Sequence, residues 1–185
     1  MSEMVSDQLV ALEANAAGPV KLEFGPQKAL FSLRMDPGNS ASAAKAFAGK
    51  LATRVGRGSV SKTRSSLCCG PDEWFLSAPE NDRRTICDAF AQLGKTTPHS
   101  LVDISDREVA IDLSGPLAID LLSIGCPTNL HQLSVGWGRR TLFDTVQIMV
   151  IKLAPDSYRI YVWRSFVPHV WGLLVRGNRE FAAGY

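Results

Sequence analysis

Hydrophobic and polar positions alternate most cleanly along Glu108–Ser114, where Val109, Ile111 and Leu113 are separated by Ala110 and Asp112. A period of two marks a strand with one buried face. Just before it, Leu101–Asp103 and Ser105-Asp106-Arg107 read as another strand and a tight turn. After it the period lengthens, and Leu117, Ala118, Leu121 and Leu122 fall on one helical face. Pro116 suits the first turn of that helix, with Ser114 or Gly115 as its cap. Gly125 and then Cys126-Pro127 end it.

The same grammar runs through the rest of the chain. Lys28–Met35 reads as a strand and Asp36-Pro37-Gly38 as a turn. Asn39 or Ser40 then caps a helix carrying Ala44, Phe47, Leu51 and Val55, closed by Gly56. Thr63–Cys69 and Glu73–Ser77 form a hairpin about Gly70-Pro71-Asp72. A helix follows to about Leu93, with Ile86, Ala89, Phe90 and Leu93 inward and Gly94 at its end. In the second half, Thr145–Leu153 has little polar content and reads as a covered central strand. Ala154-Pro155-Asp156 turns it into Tyr158–Trp163, and Ser165 opens a helix carrying Val167, Val170, Trp171 and Leu174.

Gly70-Pro71-Asp72-Glu73-Trp74 is echoed by Ala154-Pro155-Asp156-Ser157-Tyr158, each between two strands and before an amphipathic helix. The order predicts an α+β fold of two pseudo-repeated strand–helix–hairpin–helix halves, ferredoxin-like, with sheets sharing a core. The expected halves are residues 20–95 and 96–180 of a single domain. Residues 1–19 read as a flexible arm, with Ala11–Gly18 a weak helix at most, and 181–185 as a tail.

With 185 residues, 45% hydrophobic, the chain can bury a substantial core. Its charge of +2 comes from 20 basic and 18 acidic residues and gives no overall nucleic-acid footprint. The local cluster Arg54, Arg57, Lys62 and Arg64 reads as a solvated connection, and Arg83-Arg84 as surface or a partner contact. Cys68, Cys69, Cys87 and Cys126 make no disulfide framework. His99, His131 and His169 are scattered and no metal-ligand spacing occurs, so no metal is expected. The first residues carry no long apolar run, which predicts a cytoplasmic soluble protein.

Catalytic chemistry finds little support. Asp103 and Ser105 read as groups that fix a turn, with Arg107 as an alternative partner of Asp103. Asp144 has no second carboxylate or histidine near it in sequence, so no acid–base pair is visible. Cys68 and Cys69 lie in a predicted strand and read as inert thiols. Gly136-Trp137-Gly138-Arg139-Arg140 lacks the lysine and hydroxyl of a P-loop and reads as a mobile loop with an exposed Trp137. The dense aromatic and basic content of Tyr158–Trp171 is different, because Trp, Tyr and Arg dominate binding hot spots. Trp137, Tyr161, Trp163, Arg164, Phe166, His169 and Trp171 are the candidate interface residues.

Val102-Asp103-Ile104-Ser105-Asp106-Arg107, with Leu113-Ser114-Gly115-Pro116-Leu117-Ala118, resembles the glycine-cleavage T protein and its folate-binding relatives. More narrowly, five motifs resemble the gamma subunits of heterotetrameric sarcosine oxidases. They are Gly70-Pro71-Asp72-Glu73-Trp74, Ser105-Asp106-Arg107, Gly125-Cys126-Pro127-Thr128-Asn129-Leu130-His131, Arg140-Thr141-Leu142-Phe143 and Val162-Trp163-Arg164-Ser165-Phe166. The likeness runs from about Gly25 to Leu174. It implies a complex that oxidatively demethylates sarcosine to glycine, with hydrogen peroxide and methylenetetrahydrofolate as further products. It also implies alpha, beta and small delta partner subunits. FAD, FMN, NAD and tetrahydrofolate belong to the larger subunits and none to this chain. Folate-dependent relatives carry a Gly-Gly and paired-aspartate stretch where this chain reads Arg139-Arg140-Thr141-Leu142-Phe143-Asp144-Thr145, which leaves Asp144 alone. The resemblance therefore implies a subunit without catalytic or cofactor-binding residues. A stand-alone folate-dependent one-carbon transferase and a nucleic-acid-modification accessory protein remain open as rival functions of the same scaffold.

Overall fold

The period-two and period-3.6 segments become ten strands and four α-helices in a computed structural model that describes residues 17–184. The strands are β1 (Lys21–Phe24), β2 (Lys28–Met35), β3 (Gly58–Ser61), β4 (Arg64–Gly70), β5 (Glu73–Pro79), β6 (His99–Asp103), β7 (Glu108–Ser114), β8 (Gly138–Phe143), β9 (Val146–Ala154) and β10 (Ser157–Trp163). The helices are α1 (Ser40–Ala46), α2 (Arg83–Leu93), α3 (Ala118–Ser123) and α4 (Val167–Ala182). Most of the expected N-terminal arm, with the start of its weak helix, lies outside the described residues, as does the last residue of the expected tail. None of the described helices is long and apolar enough to cross a membrane.

Two compact units are present. One comprises Gln27–Ser105 with Gly136–Gly138; the other comprises residues 17–26, 106–135 and 139–184. The first holds the sheet β3-β4-β5-β2-β6 and the second the sheet β1-β7-β10-β9-β8. Each sheet therefore takes one strand from beyond the boundary expected near residue 95. β1 pairs β7, with Lys21 opposite Ser114, and β6 pairs β2, with Met35 opposite His99. The strands on either side of the expected tight turn, β6 and β7, do not pair with each other but belong to different sheets.

In the first unit, Ala29, Phe31 and Leu33 from β2 pack with Trp74, Leu76 and Ala78 from β5, and α1 and α2 add Ala43, Ile86 and Phe90. Helix α1 is shorter than its apolar spacing predicts. It stops at Ala46, Phe47 turns fully inward, and Ala48 takes a φ of 48°. The chain after it is stabilised without helical bonds. The Ser66 hydroxyl accepts from Ala52 N–H (3.0 Å) and donates to the Lys50 carbonyl (2.9 Å), while the Trp74 indole donates to the Ala52 carbonyl (2.6 Å). Val55, expected inside, is 53% exposed. The short strand β3 was hidden by its composition, Gly-Ser-Val-Ser.

In the second unit β10 runs between β7 and β9 and is buried at Tyr158, Ile160, Tyr161 and Val162. Helix α4 covers the core with Val167, Val170, Trp171 and Leu174, as the spacing predicts. Helix α3 also stands where expected, but Leu117 occupies its N-cap position, and neither Ser114 nor Gly115 caps it.

Candidate docking surface

Strand register builds the surface. Trp163 ends β10 directly opposite Glu108, the first residue of β7. The Trp163 indole N–H donates to the Glu108 carboxylate. On the ring, the Arg107 guanidinium lies 5.2 Å from the indole centroid, and its Nη2 also reaches Glu108 at 3.0 Å. The backbone continues the clamp, since Arg164 N–H donates to the Arg107 carbonyl (2.8 Å) and Arg164 Nε to the Asp106 carbonyl (2.8 Å). A single 3-10 turn, Arg164–Phe166, then brings Phe166 to 6.3 Å from the Trp163 ring before α4 begins with Pro168 in its first turn. Trp163 and Phe166 remain 40% and 43% exposed. Aromatic rings held by such fixed neighbours lose little entropy on binding.

Electrostatics follow from burial. Desolvation pushes the Glu108 carboxyl above the usual range, against the pull of Arg107, Arg140 and the Trp163 indole. A second feature is assembled only by the fold: His169 Nε2 lies 3.0 Å from Asp144 Oδ2, to which the Thr145 hydroxyl also donates (3.1 Å). The His169 bond, then the Thr145 backbone and hydroxyl, hold Asp144 below the ordinary carboxylate range. Asp144 sits at the β8–β9 turn with a φ of 53°, and both partners are about half exposed. The pair joins the first turn of α4 to the β8–β9 turn.

The candidate residues divide. Trp163, Arg164 and Phe166 form one surface, with His169 exposed on α4. Tyr161 and Trp171 do not face outward: they are 4% and 1% exposed, and Trp171 stacks on Phe24 at 4.2 Å. The alternation that placed Tyr161 beside Trp163 fails because both faces of β10 are covered there. Trp137 belongs to the other unit, where it is half-buried instead of lying exposed on a mobile loop. It bridges to Arg57, and Arg54 lies 5.0 Å from its ring. Glu108 and Arg107 were missed; only the β7–β10 pairing, invisible in a periodicity, brings them to Trp163.

Asp103 and Ser105 fix the chain as expected. The Ser105 hydroxyl donates to Asp103 Oδ1 (2.6 Å) and accepts from Leu30 N–H (2.9 Å). Asp103 pairs with Arg83 at 2.5 Å and not with Arg107. Burial works against its ionisation, but Arg83 and the two Ser105 donors outweigh it and hold the carboxyl low. Burial raises the Cys68 and Cys87 thiols, the reverse of an activated nucleophile. Among the described residues no three His, Cys, Asp or Glu side chains converge to hold a metal.

The chain matches the sarcosine oxidase, gamma subunit family over residues 34–180. It belongs to that family. A curated relative, sarcosine oxidase subunit gamma of Corynebacterium sp. strain U-96, is 30% identical over 156 residues, covering 82% of this chain and 75% of the relative. A chain of the solved heterotetrameric sarcosine oxidase from Corynebacterium sp. U-96, in complex with pyrrole 2-carboxylate, superposes with a TM-score of 0.85 at 26% identity. The match covers 96% of this chain and 94% of that one. The glycine cleavage system aminomethyltransferase T of Bartonella henselae shares the fold (TM-score 0.66, 10% identity), with 90% of this chain on 48% of that chain. The family's α+β architecture is therefore the one that the sequence motifs implied.

Proposed function

We propose that this chain is the gamma subunit of a heterotetrameric sarcosine oxidase and acts as its docking piece, with no catalytic centre of its own. The observation that carries the reading is the full-length match to a chain of a solved sarcosine oxidase heterotetramer. Trp163, Phe166 and Arg164 supply a rigid surface for a permanent partner. Such interfaces bury roughly 2,000 Å² or more. In this reading the larger alpha and beta subunits, with a small delta subunit, hold FAD, FMN, NAD and tetrahydrofolate. The complex converts sarcosine to glycine in the cytoplasm, giving hydrogen peroxide and methylenetetrahydrofolate.

Co-expression with the alpha, beta and delta subunits tests this. Trp163→Ala is expected to cut recovery of the chain with the complex by at least tenfold, a typical loss for an interface anchor of about 1.4 kcal/mol or more, while its circular dichroism stays unchanged. Undiminished recovery removes the surface assignment. Calorimetry of the wild-type chain with tetrahydrofolate is expected to give no heat of binding; a saturable heat would favour the folate-dependent transferase.

A further inference from the structure

Between Asp36 and Asp72 the chain contains no acidic residue but six basic ones, Lys45, Lys50, Arg54, Arg57, Lys62 and Arg64. The whole chain carries only +2, so this stretch concentrates charge that the remainder cancels. All of it lies in the unit built on Gln27–Ser105. Arg64 is committed to Asp82 (2.8 Å). The other five are exposed, and none forms an ion pair among the described residues.

Structure holds these charges on neighbouring segments. β3 pairs with β4, Ser59 opposite Ser66, and the Ser66 hydroxyl grips the Lys50–Ala52 backbone. Arg57 bridges to Trp137, whose ring is flanked by Arg54. Lys62 stands at the β3–β4 turn with a φ of 56°. Among them Val55 and Val60 are 53% and 73% exposed.

We infer that this is a second contact surface, which takes an acidic face of a protein partner, and that its work is to speed and orient encounter. Exposed cations without ion-pair partners, on segments that also expose Val55 and Val60, suit an acidic partner face. Single-stranded nucleic acid fits less well, because it needs free aromatic faces to stack on: Trp137 is half-buried with Arg54 at its ring, and Phe47 is fully buried. A charged edge that merely discourages strand pairing needs Lys62 alone.

The inference goes beyond the aromatic docking surface, and naming the partner as a subunit of the oxidase rests on the proposed function. The test measures association of the full chain with the other three subunits between about 50 and about 300 mM salt. Wild type is expected to slow about tenfold across that range. Arg54→Glu/Arg57→Glu/Lys62→Glu should start about tenfold slower and lose the salt dependence, while Arg54→Lys/Arg57→Lys keeps the wild-type rate. Trp163→Ala should dissociate faster with its salt dependence intact. Equal rates for wild type and the reversed variant, with both folded by circular dichroism, overturn the inference. If no complex forms, fluorescence titration of the chain with poly-L-glutamate decides. Binding lost in the reversed variant keeps the acidic partner and discards the oxidase assignment; no binding discards the surface. A 12-nucleotide RNA bound more tightly than poly-L-glutamate also overturns it.

Discussion

Glu108 carries opposing demands at a single residue. It must accept from the Trp163 indole and from Arg107, yet it lies where water is scarce. Its folded pKa stands above its unfolded one, so the folded chain holds a proton more tightly than the unfolded chain does. That contribution to stability is complete below the ordinary Glu range and disappears as pH rises through the raised value. Glu108→Gln keeps the acceptor and removes the charge. Thermal melts should show the variant melting above wild type at pH 7–8, with the gap closing towards pH 4. Asp103 has the opposite sign. Held low by Arg83 and Ser105, it adds stability above the unfolded pKa and loses it as pH falls through the depressed one. Asp103→Asn should lower stability at pH 7 by about 1 kcal/mol, a charged hydrogen bond discounted for its partial exposure, and match wild type in acid melts. Had the buried carboxyl of Glu108 instead been held low by its two arginines, Glu108→Gln would melt below wild type at pH 7.

At the scale of elements, the segment Gly136–Gly138 is laid beside β3, through Gly58 N–H to the Gly136 carbonyl and Gly138 N–H to the Gly56 carbonyl (2.8 and 2.9 Å). A Cβ at Gly58 would collide with the Gly136 carbonyl oxygen. Gly58→Ala should therefore release this bridge at a cost of about 1–2 kcal/mol, seen as a red shift of Trp137 emission as the ring leaves Arg54. Periodicity gave much of the element list. The end of α2 at Leu93 and the buried faces Ile86/Phe90 and Val170/Trp171/Leu174 follow directly from a 3.6 spacing, whereas α4 runs on to Ala182, into the residues expected as a tail. Periodicity did not show β1, β3 or β8, and it overran the end of α1; the last of these and β3 have a plain physical reason. Leu51 and Val55 continue the helical spacing of α1, but the Ser66 hydroxyl and Trp74 indole bond the Lys50–Ala52 backbone and keep that segment out of the helix. β3 offers only one apolar side chain, and that one faces solvent. The candidate docking surface was half legible, because composition marked Trp163, Arg164 and Phe166. Tyr161 and Trp171 looked the same in sequence, and only a covered β10 and the stack on Phe24 take them inside.

Across the whole molecule, sequence order and spatial grouping part company. Asn178, fully buried on the last helix, accepts from Val20 N–H (2.9 Å) and donates to the Val20 carbonyl (2.8 Å), so one amide fastens the earliest described strand to the final helix. Asn178→Ala leaves both backbone groups buried and unpaired. The expected loss is about 2–4 kcal/mol in urea unfolding, with hydrogen exchange at Leu22 and Phe24 accelerated first. Loss confined to surface probes would mean that β1 is held by β7 alone. The pairing of Lys21 with Ser114 also sets a timetable for synthesis. A ribosome emits β1 long before its neighbour β7 exists, and β7 before β10 can flank it. The sheet's middle strand β10 is residues 157–163 of 185, so β1 and β7 wait through most of synthesis before the sheet can close around it.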